Sequence, residues 1–301
     1  MLSSLIAYKA KHRMKSPMKN LLSKNLSVHR FQLRSRPTFL HAFLTVLLVC
    51  AIQPSLHADP TPVRKLQGTY HGFLELLSPE GQVVAFGDST QVVHGDEITA
   101  ETLFTFKDGS IDDETTVYTQ HRSFQLISDH HVQKGPFFPH PTEVFVDART
   151  GQVSTRTTGK DGKEVFRTDH LQLPADLANG MVPLVIENMT PGAAQKTVSL
   201  VVSTPKAMLV QLVISKLGDD KYSLVGTTRK ATHYEIKIIL GGVVGVVAPL
   251  IGKAPPNIEI WAVTGSAPTF VREQGPIYAD GPVMTIELIS PTWSDSPKSG
   301  N

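Results

Sequence analysis

Residues 101–119 read ETLFTFKDGSIDDETTVYT, and this stretch decides the fold class. Glu101–Phe106 is typical of a strand, Asp108-Gly109 is a strong hairpin signal, and Thr115–Thr119 supplies the returning strand. The stretch therefore predicts two antiparallel strands joined by a tight turn.

The same rhythm of short strands and turn residues continues along most of the chain. A first set of strands is predicted at 69–77, 83–86, 101–106, 115–119, 123–127, 143–147, 153–157 and 164–168, with turns at Glu80-Gly81, Thr150-Gly151 and Asp161-Gly162. A second set is predicted at 197–203, 208–216, 221–228, 232–240, 258–264, 269–273 and 283–288, with Gly218-Asp219-Asp220 as its clearest turn. Turns about ten residues apart are typical of a β-meander.

One segment between the two sets, 173–189, breaks this rhythm. Leu177, Met181, Leu184 and Val185 have helical spacing, and Pro174 is tolerated in a first helical turn. Because Gly180 and Pro183 interrupt the pattern, we expect a bent helix or two short ones. The predicted fold is mainly β, an antiparallel barrel or half-barrel of two β sets around a central helical segment.

The N-terminal residues 1–58 have the layout of a secretory signal peptide. They hold nine basic and no acidic residues, an apolar run at 39–52, and Leu56-His57-Ala58 as a small-residue cleavage site. The apolar run is shorter than the roughly 20 residues of a membrane-spanning helix. We therefore expect a periplasmic or secreted protein cleaved near Ala58, with Met18 as an alternative start. A mitochondrial transit peptide and an uncleaved anchor are the alternatives.

Removal of this leader changes the charge and the cysteine content of the chain. The whole chain has 29 basic and 27 acidic residues, so the mature part keeps 20 basic residues and a net charge of −7. An acidic surface disfavours nucleic acid as a partner. The single cysteine, Cys50, lies in the leader, so disulfides, thiolate catalysis and cysteine-bound zinc are excluded from the mature protein.

The mature part is expected to form a single β-rich domain at 59–293, followed by a disordered tail at 294–301. About 243 residues are enough for one large β domain. The sequence does not indicate an oligomeric state.

Three groups of residues were considered for chemistry. Gly87-Asp88-Ser89-Thr90 is similar to the nucleophile block of one class of lipases, but no strand-to-helix context follows, and a turn is the simpler interpretation. His130, His131 and His140, with Asp129 nearby, could line a metal site, although adjacent histidines on a strand point to opposite faces. The remaining group, Asp112-Asp113-Glu114, lacks the glycine and final glutamate of a calcium loop and indicates an acidic hairpin. No catalytic residue, metal site or cofactor is therefore predicted, and an enzyme is the less favoured class.

A glycine-spaced apolar run at 241–252 is the remaining unusual feature. It is too short to span a bilayer as a helix, and glycine permits close approach to a ligand or movement of a lid. A tight crossing of two chain segments is the alternative. If the segment 173–189 plugs the sheet and 241–252 covers it, a lipophilic ligand would contact six residues: Leu177, Met181, Val185, Gly245, Val246 and Leu250.

The sequences LPADLANGMVPLVIENM at 173–189 and VVGVVAPLIGKAPPNIEIWAVTGSAPTFVREQGPIYADGPVMTIEL at 243–288 resemble a family of uncharacterised exported bacterial proteins. That resemblance covers the mature chain and implies no activity. The predicted architecture also resembles, less specifically, the β half-barrels that carry lipid or lipoprotein acyl chains in the periplasm. It implies a binding module for a lipophilic ligand, with peripheral membrane contact. The alternative is a structural or envelope-interaction protein without a ligand, and a hydrolase is the least favoured.

Overall fold

The structure of the protein, a computed structural model, describes residues 59–159, 162–203, 206–224, 227–239, 256–265 and 268–290. All of these residues belong to one compact unit. The predicted leader, the glycine-spaced run at 241–252 and the tail at 294–301 lie outside the described residues.

Within the described residues, fourteen strands and one short helix account for the regular structure. The strands are β1 (Tyr70–Leu77), β2 (Val83–His94), β3 (Glu97–Phe106), β4 (Ile111–Gln120), β5 (Phe124–Lys134), β6 (Thr142–Asp147), β7 (Gln152–Thr158), β8 (Glu164–His170), β9 (Gln195–Ser203), β10 (Ala207–Leu224), β11 (Thr227–Ile239), β12 (Ile258–Val263), β13 (Thr269–Pro276) and β14 (Val283–Ile289). The helix α1 (Val182–Glu187) lies between β8 and β9.

All fourteen strands belong to one antiparallel sheet. Its order is β8-β7-β6-β5-β4-β3-β2-β1-β14-β13-β12-β11-β10-β9, so two meanders, β1–β8 and β9–β14, are joined where β1 pairs with β14. The sheet is not closed, because β8 and β9 form its two edges. This arrangement confirms the predicted mainly β, half-barrel class built from two β sets.

The sheet curves so strongly that strands far apart in its order meet across the interior. Gln133 of β5 donates a hydrogen bond of 2.8 Å from Nε2 to the carbonyl oxygen of Ile277, which follows β13. A single apolar cluster also combines residues of β3 to β7 with residues of β9 to β12. One face of the sheet is therefore an inner, largely buried face, and the other is an outer face.

Most of the predicted turns are confirmed. Gly81, Gly109 and Gly151 end their hairpin turns with φ angles of +78°, +84° and +76°, a backbone conformation that favours glycine. The turn predicted at Gly218-Asp219-Asp220 is wrong, since β10 continues to Leu224 with an irregular register at this point. Asp219 accepts hydrogen bonds from Thr232 and Lys230 of the neighbouring β11, and these side-chain contacts hold the triplet within the strand pair.

The central segment is less helical than its spacing predicts. Only Val182–Glu187 is helical, and Pro183, rather than Pro174, lies in the first turn of α1. The preceding residues instead follow β9, where Asn179 donates to the Val201 carbonyl at 3.0 Å and accepts from the Val201 N–H at 2.9 Å. Short polar side chains that bind backbone groups compete with helix formation. The hydrogen bonds of Asn179 to β9 therefore replace helical structure before Val182.

This segment also covers one edge of the sheet. The Asp176 carbonyl oxygen accepts a hydrogen bond from Ser199 N, the Ala178 N–H donates to the Ser199 carbonyl, and Asn179 satisfies Val201. An uncovered edge strand is a template for pairing with another chain. The segment therefore closes the β9 edge, whereas β8 is paired on one side only.

Candidate functional site

The inner face of the sheet has an apolar end, a polar middle and a second apolar end. On β3, Ile98 belongs to the first apolar cluster, whereas Phe104 and Phe106 belong to the second, which also contains Phe138 and Ile277. Between the two clusters the inner positions of β4 and β5 are polar. We call these positions the polar band, and its members are Asp112, Glu114, Thr116, Asp129, His131 and Gln133.

Strand register explains why these side chains meet. Three pairs lie directly opposite one another on β4 and β5: Asp112 and Gln133, Glu114 and His131, and Thr116 and Asp129. Residues two apart on a strand share a face, so all six side chains point to the interior. The hairpin alone therefore builds the polar band.

At one end of the band, Asp112 is held by two donors. His131 Nε2 lies 2.6 Å from Asp112 Oδ1, and Gln133 Nε2 donates to Oδ2 at 2.9 Å, with His131 and Asp112 both almost completely buried. Burial disfavours the charged imidazole, but the adjacent Asp112 carboxylate outweighs it and raises the pKa of His131. These three side chains form a satisfied buried network.

Asp129, at the other end of the band, is only half satisfied. Its Oδ1 accepts a hydrogen bond of 3.0 Å from Thr116 Oγ1, and its Oδ2 has no hydrogen-bond partner among the described residues, although Asp129 is 0% exposed. Burial, and next the charge of Glu114, raise the pKa of Asp129 to about 7. A buried acceptor without a donor is uncommon and costs free energy, so it marks a position where a donor would be stabilising.

A further carboxyl faces the band from the opposite side of the interior. Glu273 of β13 pairs in register with Ile260 and Ile286, which are inner-face residues. Burial raises the pKa of Glu273 to about 7, and the charge of Glu114 adds to this effect, which places the two carboxyls near each other. The polar band and Glu273 together bring acidic groups from β4, β5 and β13 to one region of the interior.

The central segment touches the polar band through Gly180. Its φ is +65°, and a Cβ atom at this position would overlap Thr116 Oγ1 and lie 2.9 Å from Asp129 Oδ1. Glycine is therefore required here both by the backbone conformation and by the space available.

Three of the residues predicted to bind a ligand belong to this segment and to the first apolar cluster. Leu177, Met181 and Val185 are buried, and the cavity that they line together with Phe124 and Asp176 has a volume of about 10 Å³, the space of one water molecule. The structure brings these three together as packed core. Gly245, Val246 and Leu250 lie outside the described residues, so contact of all six with a ligand stays a prediction.

The histidines considered for a metal site do not come together. His131 lies in the polar band, whereas His130 faces the other side of the sheet and lies 3.1 Å from Glu143 Oε1, as expected for neighbours on a strand. Among residues 59–290, apart from the gaps in the described ranges, no group of three His, Cys, Asp or Glu side chains is placed to hold a metal ion.

The lipase-like block Gly87-Asp88-Ser89-Thr90 lies in the middle of β2, so the turn predicted for it is wrong. Both neighbouring strands pair with it, and Asp88 Oδ1 lies 2.8 Å from His71 Nε2 at the surface. A nucleophile elbow needs a sharp strand-to-helix turn, which this strand does not provide.

The outer face carries a groove of about 240 Å³ beside Trp261. His233 stacks on the indole at 4.2 Å, Arg272 lies over it at 5.7 Å and pairs with Glu287, and the indole N–H donates to Asp220 at 2.8 Å. These polar groups of the groove bind one another, and we place the candidate site in the interior, where a buried carboxyl oxygen lacks a donor among the described residues.

The sequence pattern of β4 alone, or of β5 alone, does not predict the polar band. Asp112–Glu114 were predicted to form an acidic hairpin, and they lie on β4, which pairs with β3, with Asp112 buried. The signal was present in the alternation of Asp112, Glu114 and Thr116 on β4 with Asp129, His131 and Gln133 on β5. Alignment of the two strands as a hairpin would have placed all six on one face.

No family model matches the sequence, and no curated protein matches it. The chain is similar to a crystal structure of a β-barrel-like protein of the domain of unknown function DUF1849 from Brucella abortus, with 9% sequence identity and a TM-score of 0.42. The match covers 74% of this chain and 96% of that chain. At this level of similarity it carries no argument about function.

No helix within the described ranges is long and apolar enough to cross a membrane.

Proposed function

We propose that the protein is an exported binding module that holds a lipophilic ligand inside its curved sheet. The observation that carries the proposal is the half-satisfied polar band between two apolar clusters on the inner face. Binding sites are commonly apolar with a few convergent polar groups that fix orientation. The secretory layout of residues 1–58 supports a periplasmic or secreted location, and N-terminal sequencing of the protein from its native host tests this part.

We place the ligand against the polar band on the inner face of the sheet, rather than beside α1. Around Leu177, Met181 and Val185 the core is filled to within about 10 Å³. The polar band, in contrast, keeps a buried carboxylate oxygen without a donor. A molecule with an apolar body and one polar end would match both clusters and the band.

Titration with the neutral fluorescent probe N-phenyl-1-naphthylamine tests the binding module. We expect saturable binding with one probe per chain, and lipid that copurifies from the native host and is released on denaturation in mass spectrometry. Absence of both would overturn the proposal in favour of a protein without a ligand.

Two variants on one strand locate the binding site. Thr102 on β3 lies opposite Glu114 in register and faces the interior, whereas Thr105 on the same strand is exposed. Thr102→Trp should weaken probe binding at least tenfold by filling the polar band, and Thr105→Trp should leave it unchanged. Equal effects of the two substitutions would place the probe elsewhere.

An envelope-interaction protein is the second candidate, because the edge strand β8 exposes apolar side chains that could contact a partner. Val165 and Phe166 on this edge strand are 57% and 67% exposed, and among the described strands β8 pairs only with β7. Exposed apolar residues on an unpaired edge are typical of surfaces that contact a membrane or another protein. Sedimentation with phosphatidylethanolamine–phosphatidylglycerol vesicles, with and without Phe166→Ser, measures the peripheral membrane contact that this candidate implies.

A further inference from the structure

Strand β8 ends the sheet as an exposed ribbon. Every residue of β8 except Asp169 is exposed, so neither face of this strand is covered by the core. Among the described residues, no strand pairs with the edge of β8 that faces away from β7. The strand also has no proline and pairs with β7 in a regular register, so it lacks the features that commonly prevent an edge strand from pairing with another chain.

The hydrogen bonds between β7 and β8 show which backbone groups point away from the sheet. The Gly159 N–H donates to the Lys163 carbonyl, and the Leu171 N–H donates to the Gly151 carbonyl. Hydrogen-bonded pairs alternate with non-bonded pairs in an antiparallel ladder, and the register between these two pairs is regular. The odd-numbered residues of β8 therefore bond to β7. The even-numbered residues direct their N–H and C=O groups away from it: Glu164, Phe166, Thr168 and His170.

A second copy of this chain is a partner that fits this edge. Two copies of one strand can pair antiparallel about a two-fold axis perpendicular to the sheet, and each side chain then meets one on the same face. With the axis at Phe166, this residue lies opposite Phe166 of the second copy, and Glu164 lies opposite Thr168 of the second copy. The outward N–H and C=O groups of all three residues are then hydrogen-bonded between the copies.

The charges of β8 favour this register over the neighbouring ones. It places Lys163 opposite Asp169 of the second copy, and it places no two like charges directly opposite each other. An axis at Arg167 would oppose two arginines, and an axis at Val165 would oppose Lys163 and Arg167. An axis at Thr168 would leave Val165 opposite a residue beyond the end of β8.

We propose that two copies of the chain associate through β8 as an antiparallel pair, with the two-fold axis at Phe166. The two sheets then continue into each other, and the exposed phenyl rings of the two Phe166 residues contact each other on the outer face. On the inner face, the aliphatic part of Arg167 covers Val165 of the second copy. This inference goes beyond the binding module and does not depend on a ligand in the interior.

Sedimentation equilibrium of the protein expressed in its native host measures the association. An interface of one strand pair is small, so we expect a monomer–dimer equilibrium between about 1 and 200 µM. Phe166→Ser should raise the dissociation constant of the dimer at least about tenfold, as expected for a central aromatic residue. Phe145→Ser is the matched control, since it removes another exposed phenyl ring from the outer face, on β6, and should leave the dissociation constant unchanged.

Thr168→Pro tests the backbone pairing. The Thr168 N–H points away from β7, so proline removes it without loss of a bond to β7, a position where edge strands tolerate proline. We expect this variant to be monomeric over the same concentrations, with a melting temperature close to that of the wild-type monomer. Arg167→Pro removes an N–H that bonds to β7, and it should lower the melting temperature clearly.

Single cysteines locate the two-fold axis. Cys50, in the predicted leader, is the only natural cysteine of the chain. Phe166→Cys should form a disulfide between two copies under mild oxidation, because residue 166 lies opposite itself. Glu164→Cys and Thr168→Cys should not form one, because a four-residue offset separates the two thiols by about 13 Å, beyond the reach of a disulfide.

The outcomes separate this interface from the other uses of the β8 edge. A monomer at all concentrations, a dimer unaffected by Phe166→Ser and Thr168→Pro, or a disulfide at 164 or 168 instead of 166 would overturn the proposal. A monomeric protein that sediments with vesicles, and loses this property in Phe166→Ser, would assign the edge to a membrane instead. None of these results alters the test of the binding module, whose readout is the fluorescent probe.

Discussion

Asp129 is a buried carboxyl whose protonation links the polar band to the stability of the protein. Its burial keeps the carboxyl protonated to near pH 7, and its unpartnered Oδ2 makes the ionised form costly. The native state therefore holds a proton that the unfolded chain, with an ordinary aspartate pKa, releases above about pH 4.

The stability of the protein should depend on this proton. A raised native pKa contributes stability that is complete below about pH 4 and is lost as the pH rises to about 7, at on the order of 1 kcal/mol per pH unit. Asp129→Asn removes this part of the dependence, so the variant should gain stability relative to the wild type between pH 5 and pH 7.5. Urea unfolding across this range measures the difference, and parallel curves for the two proteins would contradict it.

Part of the pH dependence of the free energy of unfolding should remain in Asp129→Asn. Burial also raises the pKa values of Glu187 and Glu273 to about 7, and both carboxyls remain in the variant. Glu187→Gln therefore provides an independent reduction of the slope at a position outside the polar band.

Gly180 is a second residue whose substitution should affect stability, because there is no space for a Cβ atom at this position. Gly180→Ala should destabilise the protein by about 2–4 kcal/mol, because a methyl group overlaps Thr116 and the positive φ is strained. Gly81→Ala is the matched control, since Gly81 has a φ of +78° with open space around it, and it should cost only about 1 kcal/mol. Chemical denaturation of both variants checks the prediction, which equal losses would contradict.

Among the elements, the central segment joins the two halves of the core. Leu177 pairs with Ser199 in an isolated bridge and is 4% exposed, in the same cluster as Val144 of β6 and Ile260 of β12. Leu177→Ala should cost about 2–5 kcal/mol, the range for removal of a buried leucine side chain. Leu66→Ala, at a site 77% exposed, should change stability by less than about 0.5 kcal/mol. Similar losses at both positions would show that the segment does not pack inside the sheet.

The strands, turns and helix also show which features of the fold could be predicted from the sequence. Hairpin residues such as Asp108-Gly109 determine local backbone geometry, so the strands and most turns were predictable from short windows. The turn at Gly218-Asp219-Asp220 was predicted wrongly, because Thr232 and Lys230 hold Asp219 within the strand pair, and such contacts come from another strand. The short helix was overestimated for the same reason, since Asn179 binds β9 and not its own turn.

The candidate site could not be predicted from one strand at a time. Spacing alone cannot show that Glu273 faces Glu114, because this depends on how strongly the sheet curves. The pairing of Thr116 with Asp129 was accessible once β4 and β5 are aligned as a hairpin.

At the scale of the whole molecule, the two meanders share one core. The first apolar cluster draws on β3 to β7, on the central segment and on β9 to β12, and β1 pairs with β14 along five residues. We therefore expect one cooperative thermal transition with equal calorimetric and van't Hoff enthalpies. Two resolved transitions in a calorimetric scan would indicate that the meanders unfold separately.

The pairing of β1 with β14 also brings the first and the last strand of the chain side by side, with Phe73 opposite Ile289. The chain is therefore suited to circular permutation. A linker from residue 290 to residue 59, which leaves residues 59–69 in place, would bring the most distant strand pairing closer in sequence, and new termini would fit at the exposed residues 190–192, between α1 and β9. Because loop closure then opposes folding less, the permuted chain should refold faster than the natural one into the same native structure.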